Sequence, residues 1–180
     1  MACVHNILIR GLNAICLQSH GVKAAADITD FLSFVHAWAY TVHEHHDNEE
    51  KNTFPMLEGQ TGEKGVMERN IVQHHAFTPG FQEMENYVAS VTKKQEEYNA
   101  DKLQGLFDSF APLLVEHLRD EITTLLELER FGDKIDWKTF TKELDKKTLA
   151  NPNLVCSLMP LCFEVITKPL IEFRGVLRDN

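Results

Sequence analysis

Four long segments of this chain repeat apolar residues at helical spacing, and each of the four apolar stripes contains a histidine. Residues 2–18 align His5, Leu8, Ile9, Leu12, Ile15 and Cys16. Residues 25–57 align Phe31, Val35, Trp38, Val42, His45, Glu49 and Met56. Residues 66–91 align Met67, Ile71, His74, Phe77, Phe81, Met84 and Val88, with Pro79-Gly80 predicting a kink or local break. Residues 101–130 align Leu103, Phe107, Phe110, Leu114, His117, Glu121, Leu125 and Leu128 before Gly132 ends the pattern. The stretch EGQTGEKG at 58–65, with its three glycines, predicts a loop. Four amphipathic helices with short connections predict an all-α fold, an antiparallel up-down four-helix bundle with a short C-terminal extension.

A length of 180 residues suits one domain. The expected division is a metal-binding bundle over 1–132 and an extension over 133–180 that caps it. Within the extension, 136–149 predicts a short helix with Trp137, Phe140 and Leu144 on one side. From residue 151 the chain is apolar and broken by Pro152, Pro160 and Pro169. It reads as a cap or a partner-facing surface, giving a monomer or a weak homo-oligomer.

A net charge of −9 argues against nucleic acid, which needs a basic face. No apolar run approaches the roughly 18 residues of a membrane span. The N-terminal segment is a poor signal peptide, because Asn6 and Arg10 interrupt it. Four cysteines (Cys3, Cys16, Cys156 and Cys162) form no CxxC pair and fit a reduced, cytoplasmic setting. No nucleophile elbow, phosphate loop or Ser-His-Asp order supports the corresponding hydrolases.

The chemistry sits on the stripes. In the second and fourth helices the inward histidine is followed four residues on by a carboxylate, giving His45–Glu49 and His117–Glu121. Residues at that spacing lie one turn apart on one face, with Cβ atoms roughly 5–6 Å apart. The pattern of one inward histidine, then His-x-x-x-Glu, occurs twice, with 40 and 43 residues between the paired histidines. A single histidine on an apolar stripe is more often a hydrogen-bonded core residue than a ligand. Two carboxylates at core positions with no basic residue on the same stripe are costly, however, and metal removes that cost. Two metal ions between the helices are the natural occupants. His46–Glu50 is a rival pair one residue on; its stripe through Leu32, His36, Ala39 and His43 is more polar. His36, His43 and His46 therefore read as an outward or supporting face.

The motifs HNILIRGLNAI (5–15), HHDNEEKNTFPMLE (45–58), NIVQHHAFTPGF (70–81) and HLRDEITTLLELE (117–129) resemble the fungal type of hemerythrin-like, or HHE cation-binding, proteins. The resemblance implies a dinuclear non-haem iron site, with zinc or manganese as alternatives, held by His5, His45, Glu49, His74, His117 and Glu121. Those are the six residues the stripes select. Oxygen-carrying members place a further histidine four residues after the third-helix ligand, where this chain has Thr78. His75 could take that role if the helix were rotated. The departure implies open metal positions and an enzyme acting on oxygen, peroxide or a small organic molecule, with Thr78 beside the reacting centre. The alternative is a protein that binds, stores or senses oxygen, nitric oxide or iron without turnover.

Overall fold

The structure, a computed structural model, describes residues 1–149. The expected cap and oligomer surface at 151–180 lie outside the described residues. Among the described residues six α-helices follow in order: α1 (Ala2–Gln18), α2 (Ala25–Asn48), α3 (Phe54–Thr61), α4 (Glu68–Thr92), α5 (Ala100–Glu127) and α6 (Trp137–Leu149). Among the described residues there is no strand, and no helix is long and apolar enough to cross a membrane.

The long helices α1, α2, α4 and α5 contact one another in a closed ring: α1 with α2, α2 with α4, α4 with α5, and α5 with α1. Their facing stripes bury Leu8, Leu12, Val35, Trp38, Phe81, Met84, Phe107 and Leu114 in one continuous core. Trp38 fills the centre and its indole N–H donates to the Leu8 carbonyl at 2.9 Å, so its one polar group is satisfied. A second, smaller core gathers Phe54, Leu57, Met67, Leu128, Ile135 and Phe140. Phe140 thereby ties α6 to the bundle, whereas Trp137, expected on the same side, is 41% exposed.

The sequence predicts one helix over 25–57, and the chain instead passes through a π-helical turn, Glu49–Thr53, between α2 and α3. There the Phe54 N–H reaches back five residues to the Glu49 carbonyl. Pro55 explains part of this: it has no N–H, and its ring would crowd the carbonyl four residues earlier. The wider turn adds a residue to the repeat and displaces the inward stripe. Beyond it Thr53, Phe54, Leu57 and Thr61 are buried, in place of the expected Met56. Helix α3 also continues to Thr61, through half of the expected loop, and stops at Gly62 in a left-handed conformation (φ 73°). The Glu58 carboxylate accepts the Gly65 N–H at 2.7 Å and closes the shorter loop.

Helix α4 runs through Pro79 without the expected break. The next residue is a contact point. A Cβ on Gly80 would lie 2.8 Å from Ser109 Oγ and 2.9 Å from Phe110 Cβ on α5. Gly80→Ala is therefore expected to destabilise the fold by about 1–3 kcal/mol through overpacking, read as a lower urea midpoint with unchanged slope. Gly105→Ala, with open space around its Cβ, is the matching control.

Candidate metal centre

The two cores leave a polar layer between them. Phe77, from the main core, lies against His46 and His74 with ring centroids 5.0 and 6.0 Å away. Phe54, from the second core, stacks on His74 from the other side at 5.8 Å. Into this layer α1 sends His5, α2 sends His45 and His46, the π turn sends Glu49, α4 sends His74, and α5 sends His117 and Glu121.

Adjacent residues of an α-helix point about 100° apart, so His45 and His46 can flank one seam. His45 turns toward α1, its ring 5.0 Å from His5. His46 turns toward α4 and α5, 4.5 Å from His74 and 5.1 Å from His117. Glu49 sits between the halves and is fully buried. One of its oxygens is 3.1 Å from His45 Nε2, the other 3.6 Å from His74 Nε2.

The ring tautomers follow from the acceptors. His5 Nδ1 lies 2.7 Å from the Leu118 carbonyl, which can only accept, so Nδ1 carries the proton. Its Nε2 is then a bare lone pair 3.0 Å from the Glu121 carboxylate. His74 Nδ1 donates to Glu50 at 2.6 Å. His117 Nδ1 faces the Gln73 Oε1 at 3.5 Å, while the Gln73 NH₂ donates to Asp120. His74 and His117 consequently turn their Nε2 atoms on each other at 3.1 Å. In these tautomers, lone pair meets lone pair. A proton or a cation must lie between them.

The same holds across the layer. His5, His45 and His46 Nε2 and both oxygens of Glu49 and Glu121 are buried with no hydrogen-bond partner. Several are within ion-pair distance of one another but not aligned as hydrogen bonds, which is why the distances alone understate the mismatch. A buried polar group left unpaired costs about 1–3 kcal/mol, and ionised groups cost more. Burial holds the imidazoles of His45 and His46 well below their ordinary range, with the neighbouring histidines adding to it. It takes His117 down to about 3. Burial, reinforced by the facing Glu121, pushes the Glu49 carboxyl well up. Protons are thus poor occupants of the histidine side, and a cation reverses every one of these penalties.

Two groups of donors result. His46, Glu49, His74 and His117 offer atoms within 4.8 Å of one another, and so do His5, His45, Glu49 and Glu121. Glu49 belongs to both. The residues fit metal ions: nitrogen and carboxylate oxygen donors that suit iron, manganese or zinc.

All six residues expected from the sequence come together here. His46, read from the sequence as part of an outward or supporting face, points inward just before the π turn. His36 and His43 are exposed, and His43 pairs with Glu85 at 3.0 Å, which raises its pKa. His75 is exposed. Thr78 is also exposed, and its hydroxyl donates to the His74 carbonyl at 2.6 Å, away from the cluster. Phe77 takes the inward place, and threonine back-bonding one turn along its own helix does the rest. Two partners escaped sequence reasoning: Glu50, named there only with His46, sits on the far nitrogen of His74, and Gln73 on that of His117.

A helical bundle enclosing a buried His/Glu nest defines a cation-binding helical domain. The comparison with known families agrees: the family "Hemerythrin HHE cation binding domain" matches residues 4–128, and the chain belongs to that family. It is similar to the "Dimeric xanthone biosynthesis cluster protein R11" of Cryptosporiopsis sp. (strain 8999), 34% identical over 168 residues, 93% of this chain. The chain spans 63% of that relative's length. No solved structure matches the chain.

Proposed function

We propose that the chain holds two metal ions, iron first and zinc or manganese as alternatives, and acts as a non-haem di-metal enzyme on oxygen, peroxide or a small organic molecule. The observation that carries this is Glu49, whose two oxygens face two separate donor groups. On this reading His46, His74 and His117 would hold one ion and His5, His45 and Glu121 the other, with Glu49 offering a carboxylate oxygen to each. When bound, the ions supply Lewis acidity or electrons. The chain supplies the rest. Phe54 and Phe77 exclude water from the imidazoles, and Leu118, Glu50 and Gln73 fix which nitrogen of His5, His74 and His117 turns inward.

Turnover is favoured over carriage by the donor count. Four donors for each ion would leave exchangeable positions on a six-coordinate metal such as iron or manganese. The name of the relative, a protein of a dimeric xanthone biosynthesis cluster, supports a small aromatic molecule as the second substrate. Thr78 loses its proposed catalytic place, since its hydroxyl is engaged outside the cluster. We further read neighbouring long helices as antiparallel. Along α2 and α5 the main core precedes the polar layer, and along α1 and α4 it follows. The bundle over 1–132 with an extension from 133, and a cytoplasmic setting suited to the free thiols Cys3 and Cys16, complete the proposal.

Elemental analysis of protein expressed with added iron tests it, with two ions per chain expected. His45→Ala and His46→Ala should each lower that number, because each removes a donor from a different ion. Less than about one ion in the unmodified protein would sink the dinuclear reading. Full occupancy in either variant would sink the corresponding ligand.

A further inference from the structure

We infer that Glu50 is a positioning residue that keeps the centre open to metal by fixing the tautomer of His74. The inference rests on the metal reading above but concerns a residue outside the two donor groups.

Glu50 Oε1 lies 2.6 Å from His74 Nδ1, and a carboxylate only accepts, so the proton stays on Nδ1 and Nε2 is bare. That bare nitrogen is 3.1 Å from His117 Nε2 and 3.6 Å from Glu49. Consider the other tautomer. A proton on His74 Nε2 would point at the lone pair of His117 Nε2 and make an ordinary hydrogen bond at the same 3.1 Å. Such a bond would close the half of the centre formed by His46, Glu49, His74 and His117, using two of its four donors on each other. Metal would then have to break it.

The other two clamps differ in kind. The Leu118 carbonyl that holds His5 belongs to the α5 backbone, and Gln73, its NH₂ held by Asp120, accepts from His117 Nδ1 across a longer 3.5 Å. Glu50 is the charged one, and it reaches across from the π turn to α4. Its neighbour Glu49 turns inward, so one turn of chain supplies both the bridging carboxylate and the clamp. Glu50 is 38% exposed, so a screened ion pair stapling two helices is the competing explanation.

Two readouts separate these. Ring nitrogen-15 correlation spectra of the metal-free protein report the His74 tautomer, and a competition titration with a chromophoric chelator reports affinity for Zn²⁺. The unmodified protein should show the Nδ1–H form. Glu50→Ala should shift His74 toward Nε2–H and weaken zinc binding at this half of the centre by about 10–100-fold. Glu50→Gln, whose amide oxygen can still accept from Nδ1–H, should keep both nearer to the unmodified values although the charge is gone. An unmodified tautomer and affinity in Glu50→Ala would overturn the role of Glu50 alone. Equal losses in Glu50→Gln and Glu50→Ala, with the tautomer unmoved, would mark it as a charge staple and overturn it too. An unmodified protein that takes up no zinc would instead overturn the metal reading.

Discussion

Glu49→Gln is expected to release metal from both halves of the centre while making the metal-free protein more stable. Both effects come from one side chain. Glu49 is fully buried, neither of its oxygens has a hydrogen-bond partner, and Glu121 faces it. Without a cation, folding must bury that charge or protonate it. Removing a buried charge that no hydrogen bond compensates, while keeping the side chain's shape, should stabilise the metal-free fold by on the order of 1–3 kcal/mol. For a domain of this size that is a rise of several degrees in Tm. The loaded protein should move the other way, since the variant loses the carboxylate shared by the two donor groups. The gain should be larger at higher pH. At low pH the raised pKa of Glu49 keeps its carboxyl protonated, and a protonated carboxyl already resembles the glutamine. Calorimetry of chelated and metal-loaded samples, with metal content measured on each, checks this. A variant that keeps its metal, or whose metal-free form melts lower than the unmodified protein, would contradict it.

Much of the centre was legible because the stripe rule and the burial cost of carboxylates select the same residues. Glu49 and Glu121 stood at core positions with no cation on their stripes, and both are fully buried. Part of what escaped has one local origin. A period of 3.6 holds along α2 as far as Asn48, and then the π turn widens the repeat, which no stripe can anticipate. Met56 was therefore placed where Leu57 is buried, whereas His46, read as an outward or supporting residue, lies before the turn and faces the seam because it stands about 100° from His45. Pro55 was the available signal, since a proline weakens the helical ladder just before itself. Thr78 failed for a different reason. Helical spacing put it one turn beyond His74, but a threonine hydroxyl has a ready acceptor in its own helix and took it. Glu50 and Gln73 act on the far nitrogens of ligand candidates on other helices, and such cross-helix partners leave no periodic trace in a sequence. The extent of α3 was misread because the three glycines of 58–65 predicted a loop throughout, whereas the helix tolerates Gly59 and ends at Gly62.

Removing metal from the unmodified protein should lower its Tm on the order of 10 °C at neutral pH, and the loss should shrink on acidification. The size follows from linkage. An ion present at a thousandfold excess over its Kd contributes about 4 kcal/mol to the folded state, and each kcal/mol moves Tm by about 2–4 °C in a domain of this length. The pH dependence follows from which donors bind protons in the metal-free fold. His45, His46 and His117 titrate far below their ordinary value of 6.5, so at neutral pH protons do not compete for them. Their depressed values mean that their contribution to metal-free stability is present above 6.5. It is lost as pH falls from there toward the folded values, about 3 for His117. Glu49 has the opposite sign. Its folded pKa is raised above 4.5, so its contribution is present below 4.5 and lost as pH rises toward the raised value. Metal needs the carboxylate and displaces that proton, so binding weakens as pH falls through the raised value. The gap between loaded and metal-free Tm should therefore narrow as pH falls from neutral toward 4.5. Metal uptake should also release protons, measurable by titration calorimetry in two buffers of different ionisation enthalpy. A gap independent of pH, together with heats that do not depend on the buffer, would show that Glu49 is already ionised before metal arrives and that the proposed competition does not exist.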